Sequence, residues 1–174
     1  MLLIPDQRPR ISREVALSRL PAVNLTVVTV AGFRGYYHDD RADNERGIYD
    51  DCIVVMGPEH FSAYNANVDP SVFRPGIATL QPGKWRYKPG IHGLSKPASK
   101  QYQAYVQAAE VVVQRDGSGP DRGYFGINIH RGGSSGTSSL GCQTIPPAQW
   151  EAFRSTLNDQ LRRAGQRSFD YILI

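Results

Sequence analysis

Two side chains in this sequence are of a type and spacing that could do chemistry together. His130 ends the alternating run Phe125-Gly126-Ile127-Asn128-Ile129-His130, and Cys142 follows twelve residues later. The stretch between them, Arg131-Gly132-Gly133-Ser134-Ser135-Gly136-Thr137-Ser138-Ser139-Leu140-Gly141, is too polar and glycine-rich to be core. A loop returning to the head of the same sheet would bring the thiol to the imidazole. A thiol is largely protonated at neutral pH, and an adjacent imidazolium lowers its pKa while storing the proton for a leaving group. On this reading Cys142 is a low-pKa nucleophile that iodoacetamide labels near pH 6. The N–H groups of Gly141 and Cys142 are candidate oxyanion donors. With no acidic residue nearby in sequence, a backbone carbonyl within Arg131–Gly133 is the expected orienting acceptor for the imidazole.

The second cysteine reads differently. Cys52 lies in Asp51-Cys52-Ile53-Val54-Val55-Met56, a short β-branched run where a buried, unreactive thiol is the default. The two cysteines could pair as one disulfide, but one sits in a valine-rich strand pattern and the other in a loop suited to presenting a thiol.

Ile129-His130-Arg131-Gly132 followed by Ser139-Leu140-Gly141-Cys142 resembles the active-site signature of the L,D-transpeptidase (YkuD-like) catalytic domain. Upstream, Leu80-Gln81-Pro82-Gly83-Lys84-Trp85-Arg86-Tyr87 resembles that family's proline-glycine-x-aromatic segment. The resemblance covers about residues 75 to 146. It implies a mainly β fold, a sandwich or barrel. It also implies that Cys142 is the acylated nucleophile and His130 its base, with Ser139 supporting the loop and Gly141 allowing close substrate approach. The substrate it implies is the stem peptide of bacterial peptidoglycan. The sequence departs from the family pattern in a shorter His-to-Cys spacing and in Thr144, which stands where Arg or Asn is usual. Both departures bear on substrate-carboxylate recognition and on transfer against hydrolysis. Gly90-Ile91-His92-Gly93-Leu94 is similar to an isoleucine-histidine-glycine element, so His92 is a competing or additional site residue. Arg131, Thr144 and Trp85 complete the candidate substrate-binding set, and Tyr87 and Tyr124 are further candidates for the groove wall or the core beneath it.

Several functions compete. Hydrolysis of a stem-peptide amide bond through a thioester, as in an endolysin or a carboxypeptidase, leads. Transpeptidation by the same acyl-enzyme is the alternative, and a non-enzymatic wall-binding module is a further one. A metal-dependent hydrolase using His38, His60, His92 and His130 with Asp39 or Asp40 lacks any HxxxH-type spacing. No cofactor and no metal are therefore expected. The net charge of +4 and pI near 9.2 favour anionic partners. The basic residues are scattered, however, and the largest cluster, Arg162, Arg163 and Arg167, sits at the C-terminus of an expected helix, where cations complement its dipole. Nucleic acid is not the expected partner. No apolar run approaches the roughly 20 residues that span a bilayer. The N-terminus, with Pro5 and Asp6 interrupting its apolar start, does not read as a secretory signal. Synthesis in the cytoplasm, with lysis or a secretion machine giving access to the wall, is the expectation, and the sequence is similar in style to small phage-encoded or effector wall enzymes.

The elements that must position these residues follow from periodicity. One domain, residues 1–174, is expected. Ile11 to Leu20 reads as a short amphipathic helix stopped by Pro21, and Ala148 to Arg163 as a longer one. The longer helix carries Trp150, Phe153, Leu157 and Leu161 at three- and four-residue steps, with proline ahead and Gly165 behind. Strands are predicted at Leu25–Phe33, Asp51–Met56, Phe61–Val68, Ile77–Leu80, Lys84–Lys88, Gln101–Val106, Glu110–Arg115, Tyr124–His130 and Ser168–Ile174. Pro75-Gly76, Pro82-Gly83, Pro89-Gly90 and Asp116–Asp121 read as turns or breaks.

Overall fold

The structure, a computed structural model, describes residues 4–39 and 44–174. Asp40, one of the residues considered for a metal site, and Met1–Leu3 of the N-terminal reading lie outside the described residues. The chain is mainly β, with helices near its two ends. In order, the elements are α1 (Arg13–Arg19), β1 (Thr29–Phe33), β2 (Asp51–Met56), β3 (Phe61–Ala66), β4 (Ala78–Leu80), β5 (Gly83–His92), β6 (Tyr102–Gln107), β7 (Val111–Arg115), β8 (Pro120–Gly123), β9 (Ile129–Arg131), β10 (Gln143–Ile145), α2 (Pro147–Arg163) and β11 (Phe169–Leu173). No helix among the described residues is long and apolar enough to cross a membrane.

Eight strands form one mixed sheet in the order β10-β9-β6-β5-β11-β1-β2-β3, and β4-β7-β8 form a second, three-stranded sheet. The large sheet curls until its two edges nearly meet. Asn67, just past β3, makes an antiparallel bridge with Thr144 of β10, and each N–H donates to the other's carbonyl at 2.8 Å. The result is a nearly closed barrel.

β1 and β2 are buried along their whole length. Period-2 alternation sends Val30, Ile53 and Val55 into the main core, with Tyr64, Tyr87, Tyr105, Phe153 and Leu157. The intervening Ala31, Cys52, Val54 and Met56 pack in a second cluster with Ala16 of α1. Burial on both faces is why these strands read as continuous apolar runs. The second face also accounts for Cys52, a free thiol with no exposure whose pKa burial drives upward.

Both helices follow their sequence signals. Ser12 caps α1, its hydroxyl accepting from Val15 N at 3.2 Å. Pro147 opens α2, the four residues on its apolar stripe are all buried, and Gly165 at φ +64 ends it in the left-handed conformation.

Three readings differ from the structure. Pro89-Gly90 is not a turn: β5 runs through it to His92, paired with β6 from Tyr87↔Gln107 to His92↔Tyr102. β11 begins opposite Tyr87, so beyond that point one side of β5 has no strand partner among the described residues, and a residue lacking an N–H is tolerated there. The alternating run Tyr124–His130 is a strand only from Ile129. Gly126 at φ +70 breaks it, and the Gln107 carboxamide oxygen accepts the N–H groups of Phe125 and Ile127 at 3.0 and 2.9 Å in place of a ladder. Pro120–Gly123, read as part of a break, is β8.

A buried polar group supports the barrel's closure. Asp51, with no exposure, accepts Gly35 N at 2.7 Å and Val68 N at 2.6 Å, tying the end of β1 to the segment after β3. Arg34 reaches Asp69 at 3.1 Å and the Leu80 carbonyl at 2.9 Å beside it. Asp51→Ala strands two buried N–H groups and should cost about 2–6 kcal/mol in urea unfolding, at about 1–3 kcal/mol for each. Asp51→Asn, which keeps one acceptor oxygen, should cost less. Equal, small losses for both would show that Asp51 is not the tie described.

Candidate active site

The nucleophile loop is held from two sides. Ser139 Oγ donates to Cys142 O at 2.7 Å and accepts Gly141 N at 3.0 Å, so this serine closes the turn that carries the thiol. Its backbone pairs with Ser71: Ser71 N donates to Ser139 O at 2.8 Å, and Ser139 N to Ser71 Oγ at 2.9 Å. Gly141 sits at φ +128, and a Cβ there would meet Ala78 O at 2.3 Å. Only glycine fits this close approach. Beyond the loop, Gln143 is buried, its amide clasped by Tyr171 Oη at 2.9 Å and by Gly141 O at 3.1 Å.

β9 and β10 run parallel, with Gln143 opposite Ile129, so Cys142 lies beside Asn128 at the head of the pair. The sulfur donates to Gly126 O at 3.4 Å and receives Asn128 N at 3.4 Å. The break in the strand at Gly126 is what frees these two backbone groups for it. Cys142 keeps partial exposure. Its sulfur is nonetheless desolvated: burial pushes the thiol up to about 11, against smaller lowering effects from the Asn128 N–H and the charge of Lys96. The expected low-pKa thiol is therefore not what the structure holds. At neutral pH the resting group is S–H.

Both candidate histidines reach the site. Their rings stack with centroids 4.0 Å apart and planes at 27°. His92 is not a loop residue but the last residue of β5, and Asn128 Nδ2 lies 3.2 Å from its Nδ1. An amide N–H donates, so Nδ1 of His92 accepts and its proton is on Nε2. His130, 3% exposed, has Nδ1 2.7 Å from the Arg131 carbonyl and 3.1 Å from Tyr102 Oη. A carbonyl only accepts, so Nδ1 of His130 carries the proton and Nε2 is bare. Tyr102 Oη donates to the same Arg131 carbonyl at 3.2 Å, which fixes its hydroxyl as well. The orienting acceptor is thus a backbone carbonyl in the expected stretch. Burial, and then the proximity of His92, lower His130 to about 4. Burial followed by Lys96 lowers His92 as well. No hydrogen bond joins the sulfur to either imidazole; the link runs through Asn128, which touches both Cys142 and His92.

The remaining candidates divide. Arg131 is exposed, with its guanidinium 5.2 Å from the Tyr102 ring centre, at the margin of the histidine pair. Thr144 is fully buried in the Asn67 bridge and cannot meet substrate. Trp85 does not join the site: its indole N–H is bonded to Gln81 O at 2.9 Å, and it packs on the core seven residues before His92 along β5. Tyr87, on the same face of the strand, lies beneath the site with its hydroxyl on Ile127 O at 2.8 Å, whereas Tyr124 is largely exposed. Gly141 N is used by Ser139, which leaves Cys142 N–H, unpartnered among the described residues, as the member of the expected pair free to donate. His38 and His60 lie elsewhere, His38 on Asp50 at 2.7 Å and His60 on Ser62 at 2.9 Å. Among the described residues no group of three or more His, Cys, Asp or Glu is placed to hold a metal ion.

Asn128 and Tyr102 were not singled out from sequence. Asn128 sits two positions before His130, the spacing of one strand face, and that signal was present. Tyr102 needed the His92↔Tyr102 pairing, which depends on β5 continuing through Pro89-Gly90. Compared with models of known protein families, with curated proteins and with solved structures, the chain matches none.

A desolvated thiol sets a clear pH dependence. Iodoacetamide labelling of Cys142 should be slow near pH 6 and rise about tenfold per pH unit between roughly pH 8 and 10, because the thiolate is the reactive form. Cys52 should stay unlabelled in the folded protein. Fast, pH-independent labelling near pH 6 would contradict the environment described. His130 should titrate near pH 4 by NMR, and His92→Ala, which removes a neighbouring positive charge, should raise that value. An unchanged His130 titration would mean that the stacked ring exerts no such effect.

Proposed function

We propose that this chain is a cysteine-nucleophile enzyme that cleaves an amide bond of a peptidoglycan stem peptide through a thioester on Cys142. One observation carries the reading: a partly accessible thiol receives the backbone N–H of Asn128, whose side chain reaches the imidazole pair in which the bare Nε2 of His130 is set by the Arg131 carbonyl. The similarity of Ile129–Gly132 and Ser139–Cys142 to the L,D-transpeptidase signature supplies the substrate class.

The chemistry follows from the protonation states. Thiol and imidazole both rest neutral, so the proton leaves sulfur as it attacks the carbonyl carbon rather than beforehand. The sulfur approaches Nε2 of His130 by a side-chain rotation, and that nitrogen takes the proton. The charge developing on the carbonyl oxygen is met by Cys142 N–H. As the tetrahedral adduct collapses, the C–N bond breaks and the imidazolium returns its proton to the departing amine. Water, deprotonated by the same nitrogen, then opens the thioester and regenerates the thiol. An amine in place of water would complete a transpeptidation with identical first steps. Access to the wall after lysis, or through another delivery system, fits this activity.

The test uses purified bacterial sacculi and mass spectrometry of the released fragments. Wild-type protein should generate new free amine and carboxyl termini. Cys142→Ala should abolish them, and His130→Ala should reduce the rate by roughly 10²–10⁴-fold, the usual contribution of a positioned base. New cross-links instead of new termini would make the enzyme a transpeptidase. Unaltered wall, or full activity in Cys142→Ala, would refute the proposal.

A further inference from the structure

The groove beside the thiol continues well past it along β5. Lys88, Gly90 and His92 occupy alternate positions of that strand and so share a face, a run of about 13 Å at roughly 3.3 Å per residue. Gly90 keeps the middle of the run bare, and a Cβ there would meet Val106 Cγ2 at 2.7 Å. Across the groove lie Asn128 and Gly126, where an added Cβ would touch nothing within 4 Å. The turn after His92, through Lys96, lines the same space, and Gly126 and Asn128 join it to the Cys142 sulfur. The open space is about 740 Å³, lined, among the described residues, by two lysines and one histidine and by no acidic side chain.

The charges are unspent. On the same strand, Lys84 and Arg86 both pair with Asp170, at 2.8 and 2.7 Å. Lys88 and Lys96 are exposed and, among the described residues, take part in no ion pair. A bare strip between two free ammonium groups suits an extended chain that carries negative charge at intervals.

We propose that this groove binds an extended anionic peptide, receiving one carboxylate at Lys96 beside the thiol and another at Lys88 toward its far end. The identity of the reacting bond rests on the cysteine-enzyme reading; the binding itself does not.

The full chain carrying Cys142→Ala, labelled with 15N, separates binding from chemistry. It is titrated with acetyl-(Ala-Glu)3-amide and with its neutral match, acetyl-(Ala-Gln)3-amide. The glutamate peptide should shift the amides of Gly90, Gly93 and Gly126 and bind about fivefold or more tightly than the glutamine peptide, the scale expected of two exposed ion pairs. The preference should shrink as salt rises from about 0.05 to about 0.5 M, and Lys88→Gln with Lys96→Gln should remove it while the rest of the spectrum stays unchanged. Equal affinities, shifts confined to another surface, or no shifts with either peptide would overturn the proposal. If the glutamate preference is present but sacculi remain intact with the wild-type protein, the enzyme reading falls and the groove stands. Cleaved sacculi without the preference give the reverse.

Discussion

Two backbone hydrogen bonds between Asn67 and Thr144 hold this molecule in its working shape. They join the edges of an eight-stranded sheet that would otherwise end in open strands, and everything near the thiol is referenced to that seam. The residues after Asn67 are fixed in turn: Val68 by the Asp51 carboxylate, Ser71 by the loop residue Ser139. Cys142 lies two residues before Thr144, so the seam also sets where the sulfur can be. Its position is a property of the barrel's closure as much as of its own loop.

The second governing condition is dryness. Thiol, imidazole pair and supporting tyrosine are all partly or wholly removed from water, and burial is the leading cause of each shift in their ionisation. Desolvation favours neutral forms. A site built this way does not store a thiolate–imidazolium pair: its thiol and its His130 ring both rest neutral at pH 7. Two imidazoles stacked at 4.0 Å add a further restriction, because a proton on one opposes a proton on the other.

Much of this was legible in the sequence where local signals act alone. Proline, glycine and a four-residue apolar stripe placed α2 almost to the residue, and a β-branched run placed β2. The contrast between Cys52 and Cys142 was legible too, since one sits in a strand and the other in a glycine-bearing loop. What failed was information carried by neighbours in space. Pro89-Gly90 has the composition of a turn and becomes strand because β6 pairs along it. Phe125–Asn128 alternates like a strand and is not one, because a glutamine from β6 satisfies its backbone. The thiol's protonation state was misjudged for a related reason. Sequence shows which groups are near in the chain but not how little water surrounds them.

β5 and β6 extend past the start of β11 as a two-stranded arm, paired to one another but, among the described residues, free on the β5 side. This separates two tasks that many small proteins must satisfy with the same residues. β6 packs Ala104 and Tyr105 inward, while the exposed face of β5 contributes one wall of the groove. A change of charge at Lys88, exposed and in no ion pair among the described residues, therefore touches neither the seam nor the seat of the thiol. The outer face of the arm can thus be recharged while the barrel beneath it keeps its packing.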